Sequence, residues 1–203
     1  MLRRIAIVGS AAACSVWLAC AKPPGAVPPA PEAQPETPVM SLPCKRAERI
    51  EVSKTQRSLT VRCVGGGTLT FPIALSRERG PKRVANDDRM PEGAYRIAGP
   101  PRKSRFYVFI PIDYPSRADA DRGLQEGLIT KDVHAAIVHA HREGRLPPQD
   151  TPLGGVLGIH GEGTRWRGDL ALNWTAGCIA LTDPAITQLS HLVRPGTPVQ
   201  ITP

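Results

Sequence analysis

Proline decides where this chain can fold. Pro23, Pro24, Pro28, Pro29, Pro31, Pro35, Pro38 and Pro43 crowd into one short stretch. Each lacks a backbone N–H and fixes φ, so neither helix nor strand ladder runs through them. Such a segment stays extended and polyproline-like, at roughly 3 Å per residue. About twenty residues then reach on the order of 60 Å. Residues 21–45 therefore read as a tether, and folding is confined to 46–203. Hydrophobic residues are 41% of the 203-residue chain, enough for one core in that remainder.

The segment ahead of the tether reads as an export signal. Met1-Leu2-Arg3-Arg4 is a basic start, and Ile5 to Ala19 is an apolar run too short for a comfortable membrane span. Trp17-Leu18-Ala19-Cys20 resembles a bacterial lipoprotein processing site, with Trp17 where Leu is usual. Cys20 would then be lipidated and become the new N-terminus. Cys14, after Ala11-Ala12-Ala13, is a second candidate with a shorter apolar run. A cleaved signal without lipid and an uncleaved anchor are the alternatives. The expectation is a lipoprotein-type signal over residues 1–20. It places the protein in the cell envelope or periplasm, held to a membrane through its N-terminal lipid.

Net charge is +8, which suits polyanionic surroundings. No basic run interleaves with aromatics, and no zinc-knuckle or P-loop spacing occurs, so nucleic acid is not an expected partner. The cysteines divide by chemistry. Cys14 and Cys20 belong to the signal. Cys44 and Cys63 either pair in an oxidising compartment or remain two thiols. Cys178 is left over, as a working thiol must be.

From Ile50 the pattern is β. Ile50, Val52, Leu59, Val61 and Cys63 alternate around a polar turn at 54–57, and Gly65-Gly66-Gly67 signals a second hairpin into Thr68–Leu75. Phe106–Ile110 is another strand. Residues 117–145 break this pattern: Val133, Ala136, Ile137 and Ala140 take helical spacing. His134, His139 and His141 lie there, but their spacings do not put all three on one face, so a solvated helix side is the better reading than a metal site. Asp183 is expected to cap a short helix from Pro184 to Val193, stopped by Pro195-Gly196. Thr197–Ile201 closes the chain as a strand.

Cys178 lies in Asn173-Trp174-Thr175-Ala176-Gly177-Cys178-Ile179-Ala180, eighteen residues after His160-Gly161. A thiol must become a thiolate to attack a carbonyl, and a nearby histidine can take its proton. Backbone amides at Ala176 and Gly177, with that of Cys178, suit an oxyanion. Asn173 and Thr175 are expected to line a cleft and Trp174 to pack its loop. Arg165 and Arg167, beside Trp166, would either meet substrate carboxylates or lie on a solvated loop.

These residues resemble the L,D-transpeptidase catalytic domain (YkuD-like), over about residues 48–202. The family pattern is a histidine, a gap of this size, then Ser/Thr-X-Gly-Cys, matched here by His160-Gly161 and Thr175-Ala176-Gly177-Cys178. Asp88-Arg89-Met90-Pro91-Glu92-Gly93-Ala94-Tyr95-Arg96-Ile97 is similar to a further family segment, with Met90 in place of Thr. Tyr114-Pro115, followed by Asp119, and Gly196-Thr197-Pro198-Val199 also fit. Many members carry Arg two residues after the cysteine; Ala180 stands there, and Gly-Cys-Ile-Ala looks like a distinct subgroup.

The resemblance implies a mainly β sandwich or barrel with an inserted helical segment and a short C-terminal helix. It implies an enzyme acting on peptidoglycan tetrapeptide stems through a Cys178 thioester, with the Gly161 carbonyl orienting His160, Tyr114 touching the donor stem, and no cofactor. The alternatives are a carboxypeptidase or endopeptidase using the same nucleophile, and a non-catalytic wall-binding lipoprotein. The insertion, residues 117–147, is a candidate lid.

Overall fold

A computed structural model describes residues 44–164 and 170–203. All of them fall in the second of two units, Met40–Pro203. The expected signal, most of the tether, Cys20 and Arg165 lie outside the described residues.

The alternating apolar positions become a five-stranded sheet. β1 (Ala47–Ser53), β2 (Ser58–Cys63) and β3 (Thr68–Pro72) form an antiparallel meander. Ile50, Val52, Leu59, Val61 and Cys63, the residues of the alternation, all point inward and are buried. Cys44 and Cys63 are joined by a disulfide, which fixes the start of the domain to β2. The closing strand, numbered β9 (Pro198–Thr202), runs parallel to β1, and β4 (Gly93–Arg96) pairs with β9, giving the order β3-β2-β1-β9-β4. First and last strands are thereby neighbours, so the sheet closes only when the whole domain has folded.

The second sheet carries the order β5-β6-β7-β8, from β5 (Arg102–Ser104), β6 (Tyr107–Pro111), β7 (Gly158–His160) and β8 (Ile179–Ala180). The side chains of Ile110, Ile159 and Ile179 meet those of the first sheet in one core that also takes Met90 and Tyr95. The architecture is mostly β in two mixed sheets, with few helices, as the resemblance implies.

Between β6 and β7 run α1 (Arg117–Gln125) and α2 (Lys131–Arg142). Ser116 and Asp119 form a capping box on α1, and Thr130 caps α2. Ile137 and Ala140 of the helical spacing are buried, Ile137 against Ala120, Ile129 and Leu153 in a second, smaller core. His134 meets Asp121 at 2.6 Å, and His141 Nε2 lies 2.8 Å from the Pro115 carbonyl, so these two histidines face α1 and the turn before it.

The C-terminal helix, α3 (Asp183–Leu192), corrects one expectation. Thr182, not Asp183, is its N-cap, accepting from the Ala185 amide. The Asp183 carboxylate reaches back instead to the amides of Glu162 and Gly163, at 2.8 and 3.1 Å. A Cβ on Gly161 would lie 2.4 Å from that carboxylate, which is why glycine follows the histidine.

Candidate active site

The register of the second sheet brings His160 and Cys178 together. β7 and β8 are parallel, with His160 opposite Ala180. Side chains alternate faces along a strand, so Cys178, two residues before Ala180, shares the His160 face. Gly158 is needed on β7: a Cβ there would lie 2.3 Å from the Ile110 carbonyl and 2.7 Å from the Phe109 ring. His160 and Cys178 open into one cleft of about 870 Å³. A larger groove of about 1000 Å³, among Tyr95, Asp113 and His141, contains neither of them. Size alone does not locate the chemistry; the thiol and imidazole do.

His160 is buried, and its Nδ1 lies 2.7 Å from the Gly161 carbonyl. A carbonyl only accepts, so Nδ1 carries the hydrogen and Nε2 is left as the basic nitrogen. Phe106 stacks on the imidazole at 4.4 Å, and Trp174 meets it edge-on at 5.5 Å. Burial holds His160 below its usual pKa, partly offset by the Gly161 bond, with the Arg105 charge adding to the depression. The ring is neutral at pH 7, the state a base requires.

Cys178 is the single unpaired cysteine among the described residues, and it is partly buried. Burial pushes its thiol up to about 11, against an opposing hydrogen bond from the backbone of Gly158. The resting pair is therefore neutral thiol and neutral imidazole rather than an ion pair. The Cys178 Sγ donates to the Val156 carbonyl at 3.9 Å. Val156 itself has φ 54, a left-handed backbone that costs a side-chain-bearing residue about 1–2 kcal/mol.

The turn before the cysteine is organised by Thr175. Its buried hydroxyl donates to the Cys178 carbonyl at 2.6 Å and accepts from the Gly177 amide at 3.4 Å. Gly177 has φ 128, and a Cβ there would meet the Arg89 carbonyl at 2.7 Å. The Gly177 amide is thus turned to Thr175, and Ala176 is the exposed residue of the turn, lining the cleft. Two expected cleft residues stand elsewhere. Tyr114 is fully buried and its hydroxyl donates to the Leu153 carbonyl at 2.8 Å, so it braces a loop and does not face the cleft. Asn173 accepts from Arg57 at 2.7 Å and is not among the cleft-lining residues. Helices α1 and α2 do not border the cleft either; the loop 149–157 does.

The strand over Phe106–Ile110 is legible in the sequence; the part its β5–β6 hairpin plays in the cleft is not. Its turn carries Arg105, whose guanidinium lies 4.8 Å from the Phe106 ring centre, with that ring stacked on His160. Arg102 lies over Phe109 at 5.1 Å. Both arginines line the cleft, and neither has a carboxylate partner among the described residues. Tyr107, with φ 69, fixes the turn in a conformation unusual for a bulky residue. Arg102-Lys103-Ser104-Arg105, running straight into aromatic Phe106-Tyr107, was the available signal.

Known proteins place this arrangement. No curated protein matches the chain in sequence. Two structures of the helical cell shape determining protein Pgp2 from Campylobacter jejuni are similar. A mutant form has TM-score 0.51 and 20% identity, covering 78% of this chain and 47% of that chain. The other has 0.50 and 19%, covering 75% and 46%. An L,D-transpeptidase from Mycobacterium smegmatis aligns with TM-score 0.46 and 12% identity, over 77% of this chain and 59% of that one. The chain spans about half the length of the Pgp2 chains it matches. Residues 47–201, which contain both sheets, His160 and Cys178, match the L,D-transpeptidase catalytic domain model (YkuD), and the chain belongs to that family.

Proposed function

We propose that this protein is a peptidoglycan L,D-transpeptidase that works through a Cys178 thioester on tetrapeptide stems. The observation that carries the reading is the tautomer: Nδ1–H of His160 is spent on the Gly161 carbonyl, so Nε2 is basic and on the face of the unpaired thiol. The thiol proton passes to Nε2 as Sγ bonds to the carbonyl joining the L-centre to the terminal D-residue. The backbone amides of Ala176 and Cys178 are the reading's oxyanion donors; each such donor is worth about 3 kcal/mol. The C–N bond then breaks, and the amine leaves with the proton from Nε2. An acceptor amine resolves the thioester into a cross-link. Arg102 and Arg105, which have no carboxylate partner among the described residues, supply cations where a stem presents carboxylates.

The second reading is hydrolysis: water in place of the amine gives a carboxypeptidase or a cleaver of cross-links or protein-wall links. Ala180 favours keeping it. It is fully buried opposite His160, where many family members carry Arg, and this fits the Gly-Cys-Ile-Ala subgroup. The remaining parts of the reading are a lipoprotein-type signal over 1–20 with Cys20 lipidated, a tether over 21–45 and a catalytic domain over 46–203, exported to the periplasm. The Cys44–Cys63 disulfide suits that compartment. Intact-protein mass spectrometry after brief incubation with a tetrapeptide stem tests the thioester. An adduct of the tripeptide acyl group, absent from Cys178→Ala, is expected; identical masses in both proteins would refute acyl transfer.

A further inference from the structure

Five non-glycine residues among those described have positive φ, and Val156 is the β-branched one. Branching at Cβ makes that conformation especially unfavourable. Packing does not hold it, because the Val156 side chain is 61% exposed. One amide side chain does. The Val156 N–H donates to Gln149 Oε1 at 2.7 Å, and Gln149 Nε2 donates to the carbonyls of Tyr114 and Pro147, both at 2.8 Å. Gln149 therefore ties Val156 to the loop's own start and to the chain ahead of α1. Gly155 lets the loop close on that anchor; a Cβ there would sit 2.2 Å from the Gln149 carbonyl. The result at the far end is the Val156 carbonyl, which accepts from Cys178 Sγ at 3.9 Å. Two residues on, the Gly158 backbone donates to the same sulfur. The thiol is thus held between a backbone acceptor and a backbone donor of one short stretch.

We propose that Gln149 is a positioning residue for Cys178: it holds Val156 in the left-handed backbone so that the Val156 carbonyl fixes the resting thiol. The proposal rests on Cys178 being the nucleophile. The thiol hydrogen must leave the Val156 carbonyl before it can reach His160 Nε2, so the loop sets both where the sulfur waits and when it is released.

A double-mutant cycle in the full-length protein tests it. Glycine adopts positive φ without strain, so Val156→Gly removes the need for the anchor. Two readouts are taken: kcat and KM on a stem peptide, and the pH profile of iodoacetamide modification at Cys178, followed by peptide mass mapping. Gln149→Ala is expected to lower kcat roughly tenfold with KM within about twofold. It is also expected to move the modification midpoint down by about one pH unit, because an acceptor favouring the neutral thiol is lost. In the Val156→Gly background the same substitution changes both by less than about threefold. Equal losses in both backgrounds, or no loss in the first, overturn the proposal. If Gln149→Ala does not fold, Gln149→Asn takes its place: it keeps the amide but is one methylene too short to span from the Val156 N–H to the Tyr114 and Pro147 carbonyls. It should shift the modification profile in the same direction, and an unshifted profile, or a shift that Val156→Gly leaves unchanged, counts against the idea. Modification of Cys178 needs no substrate, so an inactive wild type would defeat the nucleophile reading while the cycle still decides the role of Gln149.

Discussion

On one side of Cys178, β7 and β8 place the histidine and the cysteine by strand register; on the other, the loop 149–156 sets the thiol's acceptor through the amide of Gln149. The first wall shares its geometry among ladder hydrogen bonds and a buried core, so no single side chain carries it. The second concentrates its geometry in one side chain and one strained residue. Removing a reacting side chain from the register wall should remove chemistry without moving backbone. Substitutions in the loop should move backbone without removing any reacting group.

The largest expected effect tests the register wall. His160→Gln removes the base and should lower kcat/KM on a stem peptide by about 10³-fold, with the fold retained by circular dichroism. A loss under tenfold would break the assignment of His160 as base. Next comes Gly158→Ala. The added methyl meets the Ile110 carbonyl and the Phe109 ring at sub-contact distances, so urea unfolding should show a destabilisation of about 2–3 kcal/mol. Wild-type stability there would mean that the β6–β7 spacing is looser than described.

Asp183→Ala is smaller. It removes a carboxylate acceptor from the Glu162 and Gly163 amides, at a cost of about 1–2 kcal/mol, and should lower kcat because those amides fix the turn after His160. Unchanged kcat would detach Asp183 from the site. Tyr114→Phe should cost about 1 kcal/mol, from the bond to Leu153, and leave the stem-peptide KM within about twofold. A tenfold rise in KM would restore Tyr114 as a stem contact.

The last prediction concerns pH. The folded state keeps the Cys178 proton up to about 11, whereas an unfolded thiol gives it up near 8.5. Between those values the unfolded state binds fewer protons, so stability falls as pH rises, and it is fully present below 8.5. Cys178→Ser should flatten that slope in urea titrations at pH 8 to 11. An identical slope in both proteins would show that the thiol is not desolvated.

Legibility in the sequence followed the same division. The alternation over Ile50–Cys63, the helical spacing through Val133–Ala140 and the His160–Cys178 gap are periodic or fixed-interval signals; strands and helix stand where they pointed, and His160 and Cys178 line one cleft. Tyr114 and Asn173 illustrate the limit. Both are polar groups near a motif, and whether such a group faces a cleft or a backbone carbonyl depends on tertiary contacts at Leu153 and Arg57 that no local pattern encodes. Asp183 misled by one position because Thr182 is also a cap former, and the carboxylate is taken by two amides across the fold. Gln149 and Val156 were invisible for a further reason. A positive φ at valine contradicts local propensity, and only the closed loop imposes it.

The most direct test of the central claim is mass spectrometry of muropeptides from purified peptidoglycan incubated with the full-length protein, beside Cys178→Ala. Cys178 acyl transfer predicts new cross-linked dimers with the wild type and none with the variant. Loss of existing cross-links or terminal residues would place the same thiol in hydrolysis. Profiles left unchanged by both proteins would contradict the claim that Cys178 acts on stem peptides.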